Sequence, residues 1–364
     1  MIKILSAEQI KEADNSTIRH EPVSSIDLME RAASAFTELF AKKYSTEHTT
    51  FIFCGYGNNG GDGLAIARLL IEKGYTVSVY VLADSKNYSD DFLINQSRLE
   101  SSGKLVIHPI TSPDDFPRIN TGSVIIDALF GSGLNRALAG VAEKLVLYLN
   151  IQNAVRIAVD IPSGLFADWV SDGAVFMAHH TITFQQPKLS FLFPENAPVT
   201  GQWESVDIGL DKKFMDSISC NHFLIEKPDI EKIIHQRRKF DHKGIFGHAL
   251  LYAGSKGKMG AAILCAKAAL RSGTGLTTVL IPAGTEGILN VAIPEAMTMS
   301  YSLKGKSSTK WTAFSAVASG PGIGTDSYST TVLLKLLKEI TAPSVFDADA
   351  LNIVAAQKKG LKLL

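Results

Sequence analysis

A chain of 364 residues, 46% hydrophobic and 20% charged, is long enough for two domains and ordinary for a globular protein. Lys+Arg and Asp+Glu both number 36, so the net charge is zero and no general attraction to nucleic acid or to an anionic membrane is expected. Three scattered cysteines, Cys54, Cys220 and Cys265, lack C-x-x-C spacing, which argues against a disulfide framework and a zinc site and for a reducing compartment. The polar start MIKILSAEQIKEADNST has no apolar h-region and no run spans a membrane, so a cytoplasmic location is expected.

Ser6 to Gln9 reads as a capping box, followed by a short helix with Ile10, Ala13 and Ile18 on one stripe. A second helix from Ser25 carries Leu28, Met29, Ala32 and Phe36 at helical spacing. Phe51 to Cys54 reads as a buried strand and is followed by Gly55-Tyr56-Gly57-Asn58-Asn59-Gly60-Gly61-Asp62-Gly63, where glycines permit positive φ and close approach of a ligand. A helix with Leu64, Ala67, Leu70 and Ile71 on one side then runs to Gly74. Its start offers free N–H groups and the positive dipole end, so an anionic ligand is expected there.

Two functional readings of that turn compete, and a third is merely structural. Gly55, Gly57 and Gly60 fit G-x-G-x-x-G, and Asp84 follows about 20 residues on, at the end of the next strand, as in a dinucleotide fingerprint. Against this, Asp62 would repel a pyrophosphate, and Asn58, Asn59 and Asp62 together suggest hydrogen bonds to a ligand plus an oxygen-rich cation site. The structural reading is an ordinary strand-to-helix turn with Asp62 as a cap.

Farther along, Thr76 to Leu82 alternates as a strand, a polar helix from Ser89 runs to Gly103, and Leu105 to Ile107 is a short strand. Ser123 to Leu129 and Val155 to Val159 are buried strands on either side of a helix from Val141 to Leu149. Asp127 and Asp160 stand at the C-terminal ends of these strands, the rim at which open parallel sheets bind ligands. Asp62, Asp127 and Asp160 crowded at one rim need a cation or a shared proton. Thr181 to Phe184 and Glu204 to Ile208 are shorter strands, and the His179-His180 pair is read as structural or solvated rather than metal-binding. A boundary is expected between Asp211 and Asp229. The second half resumes an α/β rhythm: strand His248 to Ala253, loop Gly254 to Gly260, helix Ala261 to Arg271, strand Gly275 to Ile281, strand Ala316 to Ser319, then Gly320-Pro321-Gly322-Ile323-Gly324 and a helix to Lys338. No Walker A spacing is present.

Four segments, Leu28-Met29-Glu30-Arg31-Ala32, Asn58 to Gly63, Asp127 to Leu134 and Asp160-Ile161-Pro162-Ser163-Gly164, resemble the epimerase domain of the bifunctional NAD(P)H-hydrate repair enzymes. Gly254 to Gly260, Ala268 to Leu276, Gly320 to Gly324 and Asp347-Ala348-Asp349-Ala350-Leu351 resemble their ribokinase-like dehydratase domain. The resemblance implies an α/β chain: a Rossmann-like three-layer epimerase domain over residues 1–216 and part of a ribokinase-like domain over 225–364. It implies that Asn58, Asn59, Gly60, Gly61 and Asp62, with Gly131, Ser132, Gly133, Leu134, Asn135, Arg136 and Ala137, hold the hydrated dinucleotide, and that Gly322 serves the second domain. Asp160 is implied as the catalytic group, and Asn59, Asp127 and Ser163 as ligands of potassium.

ADP or ATP with magnesium is implied for the dehydratase domain. The later T-P-H-P-G-E and G-G-T-G-D strings of that domain do not occur before Leu364, so a truncated and inactive dehydratase with an uncovered strand edge is expected. The expected state is a homo-oligomer acting on a small molecule, without nucleic-acid or membrane partners. Two rival readings are a nicotinamide-dependent Rossmann dehydrogenase and a non-catalytic scaffold related to the epimerase domain; the scaffold is disfavoured by the presence of Asp62, Asp127 and Asp160.

Overall fold

Two parallel sheets, one in each half of the chain, carry a computed structural model that describes residues 1–83, 87–101, 103, 105–300 and 311–357. The chain divides into one unit spanning Met1–Ile234 and a second spanning His235–Leu364.

In the first unit the order is β1 (Ile2–Lys3), α1 (Ala7–His20), α2 (Ser25–Lys43), β2 (Thr50–Cys54), α3 (Asn58–Glu72), β3 (Val77–Leu82), α4 (Asp90–Ser101), β4 (Ile107–Ile110), β5 (Val124–Ala128), α5 (Gly140–Asn150), β6 (Val155–Val159), β7 (His180–Phe184), α6 (Ala197–Thr200), β8 (Gln202–Val206), α7 (Lys212–Ser217), β9 (Phe223–Leu224) and α8 (Lys227–Ile233). Seven strands pair in the order β4-β3-β2-β5-β6-β7-β8, every ladder parallel.

Alternation along each strand builds three layers. On β2, Ile52 and Cys54 pack with Ala33, Phe36, Phe40 and Leu64 of α2 and α3, while Phe51 and Phe53 pack with Leu145, Val146 and Leu149 of α5. β5 divides the same way, Ile126 and Ala128 to one face and Ile125 to the other. The capping box at Ser6 forms, with Ser6 Oγ accepting from the Gln9 N–H and Gln9 Oε1 accepting from the Ser6 N–H.

Some expected boundaries move. The fourth strand forms over Ile107–Ile110 rather than 105–107, because its register follows Val79–Leu82, and Pro109 is tolerated on this edge strand. The division between units falls after Ile234, later than the expected 225. The reason is that Phe223 and Leu224 pair antiparallel with Lys3 and Ile2, and the Met1 amino group meets the Asp229 carboxylate. Lys3 Nζ adds bonds to the Asp216 and Ile218 carbonyls, both at 2.7 Å.

The second unit contains β10 (His248–Tyr252), α9 (Met259–Arg271), β11 (Leu276–Ile281), α10 (Glu286–Ala292), β12 (Met297–Ser300), β13 (Ala316–Ser319), α11 (Ser327–Glu339), β14 (Ser344–Phe346) and α12 (Ala348–Ala356). Its strands are all parallel, in the order β12-β11-β10-β13-β14. Val332, Leu333, Ile353 and Val354 cover one face, and Ala262, Ala266 and Leu289 the other. No helix among the described residues is long and apolar enough to cross a membrane.

Candidate active site

In the seven-stranded sheet the chain winds outward from β2 to β3 and β4, then returns to the other side of β2 for β5 to β8. The switch point therefore lies between β2 and β5, where α/β sheets open a crevice at the strand C-termini. A cleft of about 450 Å³ occupies that rim, lined by Tyr56, Gly57, Asn58, Asn59 and Asp62 after β2, Leu129 to Leu134 after β5, Asp160 after β6, and Phe184, Gln185 and Lys188 after β7. Ala7, Ile10, Lys11 and Asp14 of α1 close it. Tyr56 and Phe130 face each other edge to face at 5.9 Å.

The glycine turn works by space rather than by positive φ, contrary to the sequence expectation: none of Gly55, Gly57, Gly60, Gly61 and Gly63 has φ above zero. A Cβ at Gly55 would lie 1.8 Å from the Leu129 carbonyl, and one at Gly60 would lie 2.0 Å from the Gly55 carbonyl. Those close approaches press the start of α3 against β2 and the β5 loop. Gly57 differs, with nothing within 4 Å of its would-be Cβ. Helix α3 begins at Asn58, earlier than the expected Leu64, with Gly57 as its cap and no side-chain cap bond. Asp62 is consequently not the cap, and the first N–H groups of the helix are left for a ligand.

Asp62 is buried within α3, and its carboxyl is pushed well above the usual range, first by burial and then by the negative charges of Asp160, Asp14 and Asp91. A carboxyl held toward its protonated form does not repel an anion as an ionised one would, which weakens the objection raised from sequence. Asp84 lies outside the described residues.

Asp160 directly follows β6 and adopts φ 64, a left-handed conformation that costs a non-glycine residue about 1–3 kcal/mol. Its N–H still bonds the Ile182 carbonyl. The side chain meets three donors on Oδ1: Lys188 Nζ at 2.6 Å, the Phe184 N–H at 3.0 Å and Thr183 Oγ1 at 3.2 Å. Lys188 is 1% exposed, so this is a buried ion pair, and Asp160 Oδ2 is left without a donor among the described residues. The cation expected from the crowding of carboxylates is, at Asp160, this ammonium.

Asp127 sits within β5 at zero exposure, behind the cleft wall. Its carboxylate accepts from Ser163 Oγ at 2.6 Å, the Ser163 N–H at 2.8 Å and the Leu129 N–H at 3.1 Å. Burial nevertheless lifts it to about 6 against those bonds. Ser163 Oγ in turn accepts from the Phe130 N–H at 2.9 Å, tying the β5 loop to the β6 loop. Asn59 is 8% exposed, and its Nδ2 lacks a hydrogen-bond partner among the described residues. A Cβ at Gly131 would lie 3.3 Å from Asn59 Cβ.

Of the other residues singled out from sequence, Asn58, Gly131, Ser132, Gly133 and Leu134 line the cleft, while Gly60 and Gly61 are packed beneath it. Asn135, Arg136 and Ala137 are exposed and do not line it. Gly322 belongs to the second unit, where its would-be Cβ lies 2.8 Å from Ala261 Cβ. A separate cleft of about 320 Å³ there is lined by Tyr252, Gly254, Ser255, Lys256, Ile323, Asp326 and Ser329 among others. Asp326 caps α11, Asp347 caps α12, and Asp349 accepts from the Gly324 N–H at 2.8 Å.

Residues 25–190 match the family described as YjeF-related protein N-terminus, and residues 249–363 match NAD(P)H-hydrate dehydratase. A bifunctional NAD(P)H-hydrate repair enzyme of Moorella thermoacetica is 31% identical, over 98% of this chain and 71% of its own length. Its counterpart in Coxiella burnetii is 33% identical, over 98% and 72%. The chain belongs to the family of bifunctional NAD(P)H-hydrate repair enzymes. Among solved structures, an ADP/ATP-dependent NAD(P)H-hydrate dehydratase from Bacillus subtilis, co-crystallised with ATP and magnesium, is 26% identical over 35% of this chain and 46% of its own, with a TM-score of 0.30.

Within this repair-enzyme chain, sequence reasoning missed two cleft residues. Lys188 follows the turn Gln185-Gln186-Pro187 and meets Asp160 across 28 residues, which no local spacing announces. Asp14 reads as one more polar residue of α1, although it shares with Ala7, Ile10 and Lys11 the side of the helix that meets the cleft.

Proposed function

We propose that the first unit interconverts the R and S hydrates of NADH and NADPH, a reaction coupled in intact members of the family to nucleotide-dependent dehydration of the S hydrate by the domain that residues 249–363 match. What carries the reading is a cleft at the sheet's switch point that joins an uncapped helix start, suited to a phosphate, to a buried carboxylate paired with Lys188. Hydration at C6 makes the nicotinamide ring a hemiaminal. Its hydroxyl leaves as water, the ring nitrogen lone pair forms an iminium-like cation, and water returns on the other face. Asp160 Oδ2 stands free to exchange protons with these waters, and its fixed negative charge favours the cation in a cleft of low dielectric. Asn58 and Asn59, at the start of α3, and the Gly131 loop hold the phosphates and ribose.

Potassium fits Asn59, Asp127 and Ser163 in donor chemistry through the amide oxygen of Asn59, one buried carboxylate without a cationic partner among its bonds, and a hydroxyl. These three would hold it, and it would supply positive charge beside Asp127. In the second unit Asp326 and Asp347 serve as caps and Asp349 accepts from the Gly324 N–H, so magnesium enters with the nucleotide phosphates in this reading.

The test is to mix the full chain with purified R hydrate and follow the S form chromatographically. Asp160→Asn should lower turnover by about 10²–10⁴ while the hydrate still binds. Near wild-type turnover in the folded variant would sink the assignment.

A further inference from the structure

The cleft contains a second carboxyl that no cap, ladder or ion pair employs. Asp14, on α1, lines it half-buried, and among the described residues its carboxyl accepts no hydrogen bond. Asp160 is its opposite: three donors converge on one oxygen. The two groups reach the cleft from different elements, one from a helix and one from a strand end, so they need not address the same face of a ring lying between them.

A single carboxylate exchanging protons with both the departing and the entering water would have to serve both faces of the nicotinamide. Resting on the epimerase reading, we propose that Asp14 is a second catalytic residue, giving the proton to the leaving hydroxyl on one face while Asp160 takes the proton from the water entering on the other. Asp14 transfers its proton to the C6 hydroxyl, and the C–O bond breaks with its electron pair leaving on water. The ring nitrogen lone pair becomes the second bond of the iminium. A new water forms its C–O bond from an oxygen lone pair, the C=N electrons return to nitrogen, and the proton released goes to Asp160 Oδ2. One proton has moved from Asp14 to Asp160. The reverse reaction, or exchange with solvent, restores the starting state.

The electrostatics favour a proton on Asp14. Burial and then the Asp160 charge raise the Asp14 carboxyl to about 6, against the lowering influence of Lys188. The other charged groups around it are Lys11 on its own helix, Asp62 on α3 and Asp91 on α4. Asp62 is the more enclosed acid, at 9% exposure, and lies deeper in α3.

Asp14→Asn and Asp14→Glu are assayed in the full chain with the R hydrate of NADH, above the uncatalysed rate, across the range in which a carboxyl and its water exchange protons. If Asp14 donates, wild-type kcat/KM declines as pH rises past about 6. Asp14→Asn then loses about 100-fold in kcat with KM nearly unchanged and loses that alkaline decline, and Asp14→Glu restores part of the rate with the decline displaced. An Asp14→Asn chain with wild-type kcat and an unchanged pH profile overturns the role of Asp14 alone. An inactive wild-type chain overturns the epimerase reading with it. If Asp14→Asn does not fold, the displaced decline in Asp14→Glu decides, and an undisplaced one overturns the assignment.

Discussion

Both units end their parallel strands in a glycine loop and a helix start beside a cleft, yet they use carboxylates in opposite ways. In the second unit Asp326 accepts from the Ser329 N–H at the start of α11, Asp347 accepts from the Ala348 N–H at the start of α12, and Asp349 accepts from the Gly324 N–H. Each is engaged by backbone donors of a helix start or a glycine loop. In the first unit α3 has a glycine cap with no side-chain bond, while Asp14, Asp62 and Asp160 point their chemistry at the cleft. A helix start can serve its own cap or a ligand, and the residue at that one position decides which.

The largest expected effect comes from breaking the first unit's ion pair. Lys188→Met leaves Asp160 buried without its cation, which costs about 3–5 kcal/mol, so the denaturant midpoint of the first unit should drop steeply. The double variant Lys188→Met with Asp160→Asn should recover much of the loss. An unchanged midpoint in the single variant would mean that water, not Lys188, solvates Asp160.

A smaller effect concerns Asp62. Because its native carboxyl is raised above an unfolded value near 4, the stability it contributes is full below about pH 4 and is lost as pH climbs through the native value. Asp62→Asn should remove that loss. Its stability advantage over the wild-type chain should grow from mildly acidic to mildly alkaline pH, as read by urea titration, and an advantage constant with pH would contradict the burial argument.

Smallest is the exchange of caps. Gly57→Asp gives α3 the cap that α11 already has, with open space for the side chain. Since aspartate exceeds glycine as a cap by only a few tenths of a kcal/mol, stability should rise slightly. The KM for the hydrate should rise as well, because the new carboxylate occupies the donors meant for phosphate. Unchanged KM would move the phosphates away from α3.

Much of the architecture is legible in the sequence because local pattern and tertiary environment agree there. Val155–Val159 and Ala316–Ser319 form as expected, and the capping box at Ser6 closes on Gln9. The start of α3 is misjudged because glycine and asparagine are poor helix formers in isolation. Here the close approach of Gly60 to Gly55 and of Gly63 to Cys54 makes the helical path the one that fits. Helix α10 and strand β12 are not anticipated, their seven- and four-residue spans giving little periodicity to count. The site divides along the same line. Asp127 and Asp160 stand at visible strand ends and Asn59 in the glycine turn that follows one, whereas Lys188 and Asp14 acquire meaning only when residues far apart in the chain are brought to one rim.

The short ladder between β1 and β9 makes the first unit mechanically asymmetric. Its two ends are fastened to each other by a pair of two-residue strands and by Lys3 on the last carbonyls near α7, outside the seven-stranded sheet. A stretching force applied at Met1 and His235 would load this clasp one bond at a time, as a zipper is opened, before any tension reached β2 or the cleft. Tension would then reach the rim that carries Asp160 only after the clasp has opened, and a single-molecule trace should register a weak release before the sheet gives way.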